Sequence, residues 1–182
     1  MNEHVDLIEQ LFAICESCDN KSVCIPFRCN NLNTMLDCQR ERGATVMYDY
    51  FIVCDGGCLG NGTDHTRGYG SFKLTTKDGR TKMVRLEFPS ADTNNKAEYL
   101  SVINALKHVA TVIKHANRNL KDYSIEIRMD SALVINQCNS LWRCKSVGLL
   151  SLFDEAKELL NMFKLCTFVK ISGDEMKGIL GH

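Results

Sequence analysis

The sequence has no net charge: 22 lysines and arginines are matched by 22 aspartates and glutamates. Binding of a polyanion by bulk charge alone is therefore disfavoured. No apolar run approaches the roughly 18 residues of a membrane-spanning helix. A basic leader is missing too, because the start Met1-Asn2-Glu3-His4-Val5-Asp6 is acidic. This predicts no export signal and a cytoplasmic location without membrane attachment. Internal repeats and low-complexity tracts are lacking. With 45% hydrophobic and 24% charged residues, the composition is that of an ordinary globular protein and excludes fibrous and disordered classes.

Cysteine, by contrast, is plentiful, with ten in 182 residues. Cys54, Cys58, Cys138, Cys144 and Cys166 are scattered and read as small core or surface residues in a reducing compartment. Cys15, Cys18, Cys24, Cys29 and Cys38 are clustered. Cys15 and Cys18 form a CxxC pair, the usual opening of a tetrahedral zinc site. An iron–sulfur cluster would use the same ligands, and spacing does not separate the two. The plainer alternative is a helix with free thiols, and the spacings match no standard finger.

Charge divides the chain near residue 47. Residues 1–47 hold seven acids and four bases, and residues 48–182 fifteen acids and eighteen bases. The first part is a small Cys-rich helical extension whose Leu7, Ile8, Leu11, Phe12 and Cys15 recur at helical spacing. Its acidic balance argues against a simple nucleic-acid clamp. The second part alternates. Tyr48–Cys54 is a continuous apolar run and predicts a buried strand. Gly68–Leu74 and Thr81–Phe88 flank Lys77-Asp78-Gly79-Arg80, a hairpin signal. Asn94 to Ala116 is a long amphipathic helix with Ala97, Leu100, Ile103, Leu106, Val109, Ala110 and Ile113 on one face. A strand at Ser124–Met129, a short helix from Asp130, a helix over Val147–Phe163, a strand at Cys166–Ile171 and a last helical turn or two from Asp174 follow. That order predicts an α/β fold, a five-stranded mixed sheet flanked by helices.

Three acids take special places in this layout. Asp55 ends the most buried strand, Glu98 lies near the start of the long helix, and Asp130 ends the strand 124–129. If those strands are parallel neighbours, both aspartates leave the sheet at one edge, where ligand sites favour the carboxyl ends. Clustered carboxylates repel unless a cation neutralises them, and oxygen donors suit Mg²⁺ or Mn²⁺. Each acid alone also has a plainer role, as turn former, dipole complement or helix cap.

The same residues carry a family resemblance. Asp55-Gly56-Gly57-Cys58-Leu59-Gly60-Asn61 followed by Gly68-Tyr69-Gly70, Thr93-Asn94-Asn95-Lys96-Ala97-Glu98, and Ile127-Arg128-Met129-Asp130-Ser131 occur in the order of three motifs of type 1 ribonuclease H. Trp142 falls where that family usually has a tryptophan. Residues 48–182 thus resemble the RNase H-like catalytic domain. The resemblance implies hydrolysis of the RNA strand of RNA–DNA hybrids with two Mg²⁺ ions held by Asp55, Glu98 and Asp130. It also implies groove contacts from Gly56, Gly57, Cys58, Asn61, Asn94, Asn95 and Trp142, with Glu98 near the 2′-hydroxyl. Asn94 is also a candidate cap of the long helix.

The chain departs from the family in two places. No aspartate fits the spacing of its fourth acid, so His182 is expected as fourth ligand, with Asp174 as fallback. The basic helical protrusion after residue 144 is absent, which leaves Lys107, Lys114, Arg118, Arg143 and Lys145 as candidates for substrate grip. A hybrid-binding module with weak catalysis, or a nuclease of the same fold acting on DNA, are the competing readings.

Overall fold

A computed structural model of the protein describes residues 47–60 and 66–181. The cysteines expected to bind metal (Cys15, Cys18, Cys24, Cys29 and Cys38), together with Asn61 and His182, lie outside the described residues. The strands are β1 (Tyr50–Leu59), β2 (Arg67–Thr76), β3 (Thr81–Phe88), β4 (Ser124–Met129) and β5 (Leu165–Lys170). The helices are α1 (Asn94–His115), α2 (Ala132–Cys138), α3 (Val147–Asn161) and α4 (Gly173–Leu180). The strands form one mixed sheet in the order β3-β2-β1-β4-β5. The first three make an antiparallel meander, and β4 and β5 add parallel to β1.

The expected mixed sheet is present, and its centre is the apolar run. Ile52 and Cys54 of β1 and Ile125 and Ile127 of β4 have no exposed surface. Against them α1 lays Val102, Ile103, Leu106, Val109 and Ile113, all buried. The Asp-Gly signal is realised: Gly79 takes φ +85°, a left-handed value that favours glycine, and closes the β2–β3 hairpin. Among the described residues no helix is long and apolar enough to cross a membrane.

Two expectations are corrected. Asp55 does not end its strand: β1 runs on to Leu59, paired with β2 as far as Arg67. Ladder hydrogen bonds need only backbone, so the glycines that interrupt the apolar pattern do not interrupt the strand. Asn94 is not the cap of α1 either. Thr93 is, its side chain accepting from the Lys96 amide at 3.4 Å, while Asn94 is the first helical residue.

Helix α1 crosses β1 very closely, and glycine makes this possible. A Cβ on Gly56 would stand 2.2 Å from the Ala97 carbonyl oxygen and 2.7 Å from the Glu98 nitrogen. Both are backbone atoms, so no side-chain rotation relieves the clash. Gly56→Ala is expected to cost about 1–3 kcal/mol by overpacking, read as a lower urea midpoint. Gly178→Ala serves as control, because a Cβ there meets nothing within 4 Å and alanine is the better helix former by about 1 kcal/mol. Equal midpoints for Gly56→Ala and the native chain would refute the close contact.

Candidate active site

The parallel pairing of β1 with β4 runs from Tyr50 opposite Ile125 to Val53 opposite Arg128, and there it stops. Carried further, the same register would set Asp55 opposite Asp130. The two aspartates therefore flank the point where the strands part, in an open sheet at its carboxyl edge. Glu98 arrives from the other direction. It is half-buried on the second turn of α1, directly after the Ala97 carbonyl that rests on Gly56.

Hydrogen bonds hold these parts. Ser101, one turn beyond Ala97, donates its hydroxyl to the Asp55 carbonyl at 2.7 Å and tethers β1 to α1. Ser131 donates to the Glu98 carboxylate at 2.5 Å while accepting from the Val134 amide, so the cap of α2 also orients Glu98. One Asp55 carboxylate oxygen accepts the Gly56 amide at 2.8 Å. Asn94 accepts the Cys58 amide at 2.7 Å, which fastens the end of β1 to the start of α1.

The electrostatics show that the acids share one environment. Burial pushes the Glu98 carboxyl up to about 7 against the lowering effect of the Ser131 bond, and the charges of Asp130 and Asp55 raise it further. Burial likewise raises the Cys54 thiol, with Asp55, Asp130 and Glu98 adding to the rise. Among the described residues no three His, Cys, Asp or Glu side chains are gathered closely enough to hold a metal ion. Asp55 and Glu98 are each drawn to a local donor, the Gly56 amide and the Ser131 hydroxyl. The donor chemistry nonetheless suits a hard divalent cation: three carboxylates, one of them, Glu98, raised to about 7 by burial first and by the charges of the other two in addition.

The remaining expected residues fall into groups. Gly56 and Gly57 have an internal reason to lack Cβ atoms, since a Cβ on Gly57 would stand 2.5 Å from the Tyr69 hydroxyl. Cys58 is half-buried, its thiol directed to the Ala91 carbonyl at 3.4 Å. Asn95 is exposed at the start of α1, and Trp142 is 51% exposed between α2 and α3. Asp174 is exposed in the first turn of α4, next to Gly173, whose Cβ position is 3.7 Å from an Asp130 carboxylate oxygen. The residues expected to supply basic grip are spread along the chain. Lys107 is paired with Glu155 at 2.5 Å, and Lys114 lies sixteen residues beyond Glu98 on α1, about 24 Å at 1.5 Å per residue. Arg118 follows the end of that helix. Arg143 and Lys145 remain beside Trp142 in the same short segment.

Ser101 and Ser131 were missed as site residues. Ser131 carried a signal as a cap, but its bond to Glu98 joins residues 33 apart, which local spacing does not reveal.

Residues 47–177 match the family model of RNase H. The protein belongs to the RNase H family. It is a ribonuclease H enzyme by that membership. Among solved structures, RNase H1 from the halophilic archaeon Halobacterium salinarum NRC-1 is similar at 26% identity and TM-score 0.60, over 70% of this chain and 89% of that one. LC11-RNase H1, solved in complex with an RNA/DNA hybrid, is similar at 26% identity and TM-score 0.59, over 69% and 87%. The N-terminal RNase H domain of rv2228c from Mycobacterium tuberculosis shares the fold at 24% identity and TM-score 0.60, over 72% and 88%. No curated protein matches the sequence.

The raised Glu98 pKa makes a stability prediction. In the folded state Glu98 holds its proton up to about pH 7, whereas a free glutamate releases it near 4.5. Its contribution is therefore fully present below about pH 4.5 and is lost as pH rises through about 7. Discounted for solvent screening it amounts to about 1–2 kcal/mol. Without divalent metal, Glu98→Gln should be more stable than the native chain at pH 8 and no more stable at pH 4.5. Urea unfolding in a chelator at both pH values checks this, and an identical pH slope for the two proteins would sink it.

Proposed function

We propose that the protein hydrolyses the RNA strand of RNA–DNA hybrids by a two-metal mechanism, with Mg²⁺ or Mn²⁺ held by Asp55, Glu98 and Asp130. The observation that carries this reading is the approach of the three acids to one sheet edge, where burial raises Glu98 to about 7 and the charges of Asp130 and Asp55 add to the rise. Similarity to an RNase H1 solved with an RNA/DNA hybrid supports the substrate class. When bound, the cations supply Lewis-acid activation of the phosphodiester and of the attacking water.

The chain's own groups do the rest. Ser131 orients Glu98, and Ser101 keeps Asp55 in line through its carbonyl. Asn94 fixes the glycine-bearing end of β1, so the edge is set before substrate arrives. Exposed Asn95 and Trp142 offer a hydrogen-bonding amide and an aromatic face to the strands, in keeping with readout of sugar and backbone shape rather than sequence. Glu98 at about 7 changes protonation in the working range, so cation affinity should fall as pH drops through that value.

Asp55→Asn is expected to lower hybrid cleavage by about 10³-fold or more, because a charge that holds the cation is worth several kcal/mol. An all-DNA duplex should stay intact. Multiple-turnover cleavage of labelled hybrid and duplex checks both. A native rate in Asp55→Asn removes the site, cut DNA indicates the DNase reading, and hybrid binding without cleavage indicates a binding module.

The fourth ligand is proposed to be His182, with Asp174, which follows Gly173 on α4, as the alternative. At limiting Mg²⁺, His182→Ala should lose cleavage well beyond any loss of hybrid affinity, and His182→Asp should regain part of it. A native rate in His182→Ala, with a loss in Asp174→Asn, would transfer the assignment to α4.

A further inference from the structure

The meander has a second face, turned away from α1. Residues directly opposite in paired strands share a face. Asp55 is opposite Ser71, and Ser71 is opposite Arg85; one step along, Gly57 is opposite Tyr69, and Tyr69 is opposite Glu87. Gly56 faces α1, so both rows look the other way. Across them opens a shallow cavity of about 380 Å³ lined by Tyr69, Gly70, Ser71, Arg85, Leu86 and Glu87. At the usual strand spacing of about 4.8 Å, Arg85 lies roughly 10 Å from Asp55 along the row.

The two charged side chains that line this cavity differ in their pairing. Glu87 is paired with Arg67 at 2.5 Å. Arg85 is exposed, and its side chain has no ion pair or hydrogen bond among the described residues. A free guanidinium fork beside an aromatic ring matches a phosphodiester and its sugar, the fork binding two phosphate oxygens at once.

We infer that the cavity at Tyr69 and Arg85 binds a backbone phosphate of the nucleic acid, flanking the phosphate that Asp55, Glu98 and Asp130 are proposed to act on. This rests on the hybrid reading above and adds to it a subsite on the outer face of β2 and β3. Substrate grip is thereby supplied without the basic protrusion.

Arg85 also has a structural role to be told apart from this one. The end of α4 lies beside it, the Cβ position of Gly181 being 3.8 Å from a guanidinium nitrogen, and a cation there complements the helix dipole. The test is the affinity of the full chain for a fluorescent hybrid without divalent metal, at salt from about 50 to 200 mM. Arg85→Ala should weaken binding about 3–10-fold at the low end and reduce the log–log salt slope by about 1. Arg85→Lys should restore most of the slope and less of the affinity. Arg80→Ala, at the far hairpin turn and paired with Asp78, should leave both unchanged. A hybrid shortened until it no longer reaches the cavity should bind native chain and Arg85→Ala alike. Native affinity and slope in Arg85→Ala overturn the subsite while leaving the hybrid reading intact. An unchanged slope with a lowered melting temperature assigns Arg85 to α4 alone. A native chain that neither binds nor cuts hybrid overturns the underlying reading and the subsite with it.

Discussion

The site depends on one contact, the seating of the Ala97 carbonyl on Gly56. A Cβ on that residue would stand 2.2 Å from the carbonyl oxygen, so the distance between β1 and α1 is available to glycine alone. The neighbours of these two contact residues are Asp55 and Glu98. Any outward shift of α1 would therefore separate the acids by the same amount. Ser101 fixes the contact in direction as well as distance, since its hydroxyl bonds the Asp55 carbonyl at 2.7 Å and the Ala97 carbonyl at 3.0 Å. Gly70 repeats the device one strand away, where a Cβ would stand 2.2 Å from the Ser101 hydroxyl oxygen. The motif glycines thus shape the site from behind, by letting a helix approach.

Bringing acids together in this way opposes folding. A half-buried glutamate beside two aspartates loses hydration and gains repulsion, and the rise of Glu98 to about 7 reports both. The cost is partly offset by charge-assisted hydrogen bonds from the Ser131 hydroxyl and the Gly56 amide. With the side chains on these donors, the described residues contain no closed metal cage. A divalent cation would have to draw the side chains off their local donors, and the charge it neutralises is what would make that exchange favourable. An edge prepared by backbone contacts but finished by the ion is consistent with both observations.

Much of this was legible in the sequence, and the illegible part has a common cause. The β2–β3 hairpin was readable because Asp78-Gly79 states a local backbone requirement, and α1 because its apolar positions repeat at the helical period. The acids were readable because strand ends and a helix start are local features whose meeting follows from sheet topology. The continuation of β1 past Asp55 was not, since Gly56 and Gly57 carry no side-chain pattern and their pairing is written in β2. With Thr93 capping α1, the Asn94 side chain accepts the Cys58 amide from a strand 36 residues earlier. The bond from Ser131 to Glu98 and the ion pair that occupies Lys107 likewise join distant elements. Periodicity describes what one element needs, and each of these misses concerns what a neighbouring element takes from it.

The neutral net charge limits how such an enzyme could hold a polyanion. Phosphate contacts contribute through the few cations placed on the path of the strand, each releasing counterions. Distant lysines add little, because charge beyond about 8–10 Å is screened at physiological salt. Lys114 is some 24 Å along α1 from Glu98, and Lys107 is paired with Glu155. On the proposed reading the remaining contacts fall in two groups. Asn95, Trp142, Arg143 and Lys145 lie toward the starts of α1 and α3, and Tyr69 and Arg85 lie on the outer face of β2 and β3. A grip divided in this way constrains the direction of the backbone as well as its position. Specificity would then reside in the path the duplex must follow between the two groups, which an A-like hybrid and a B-form DNA duplex do not share.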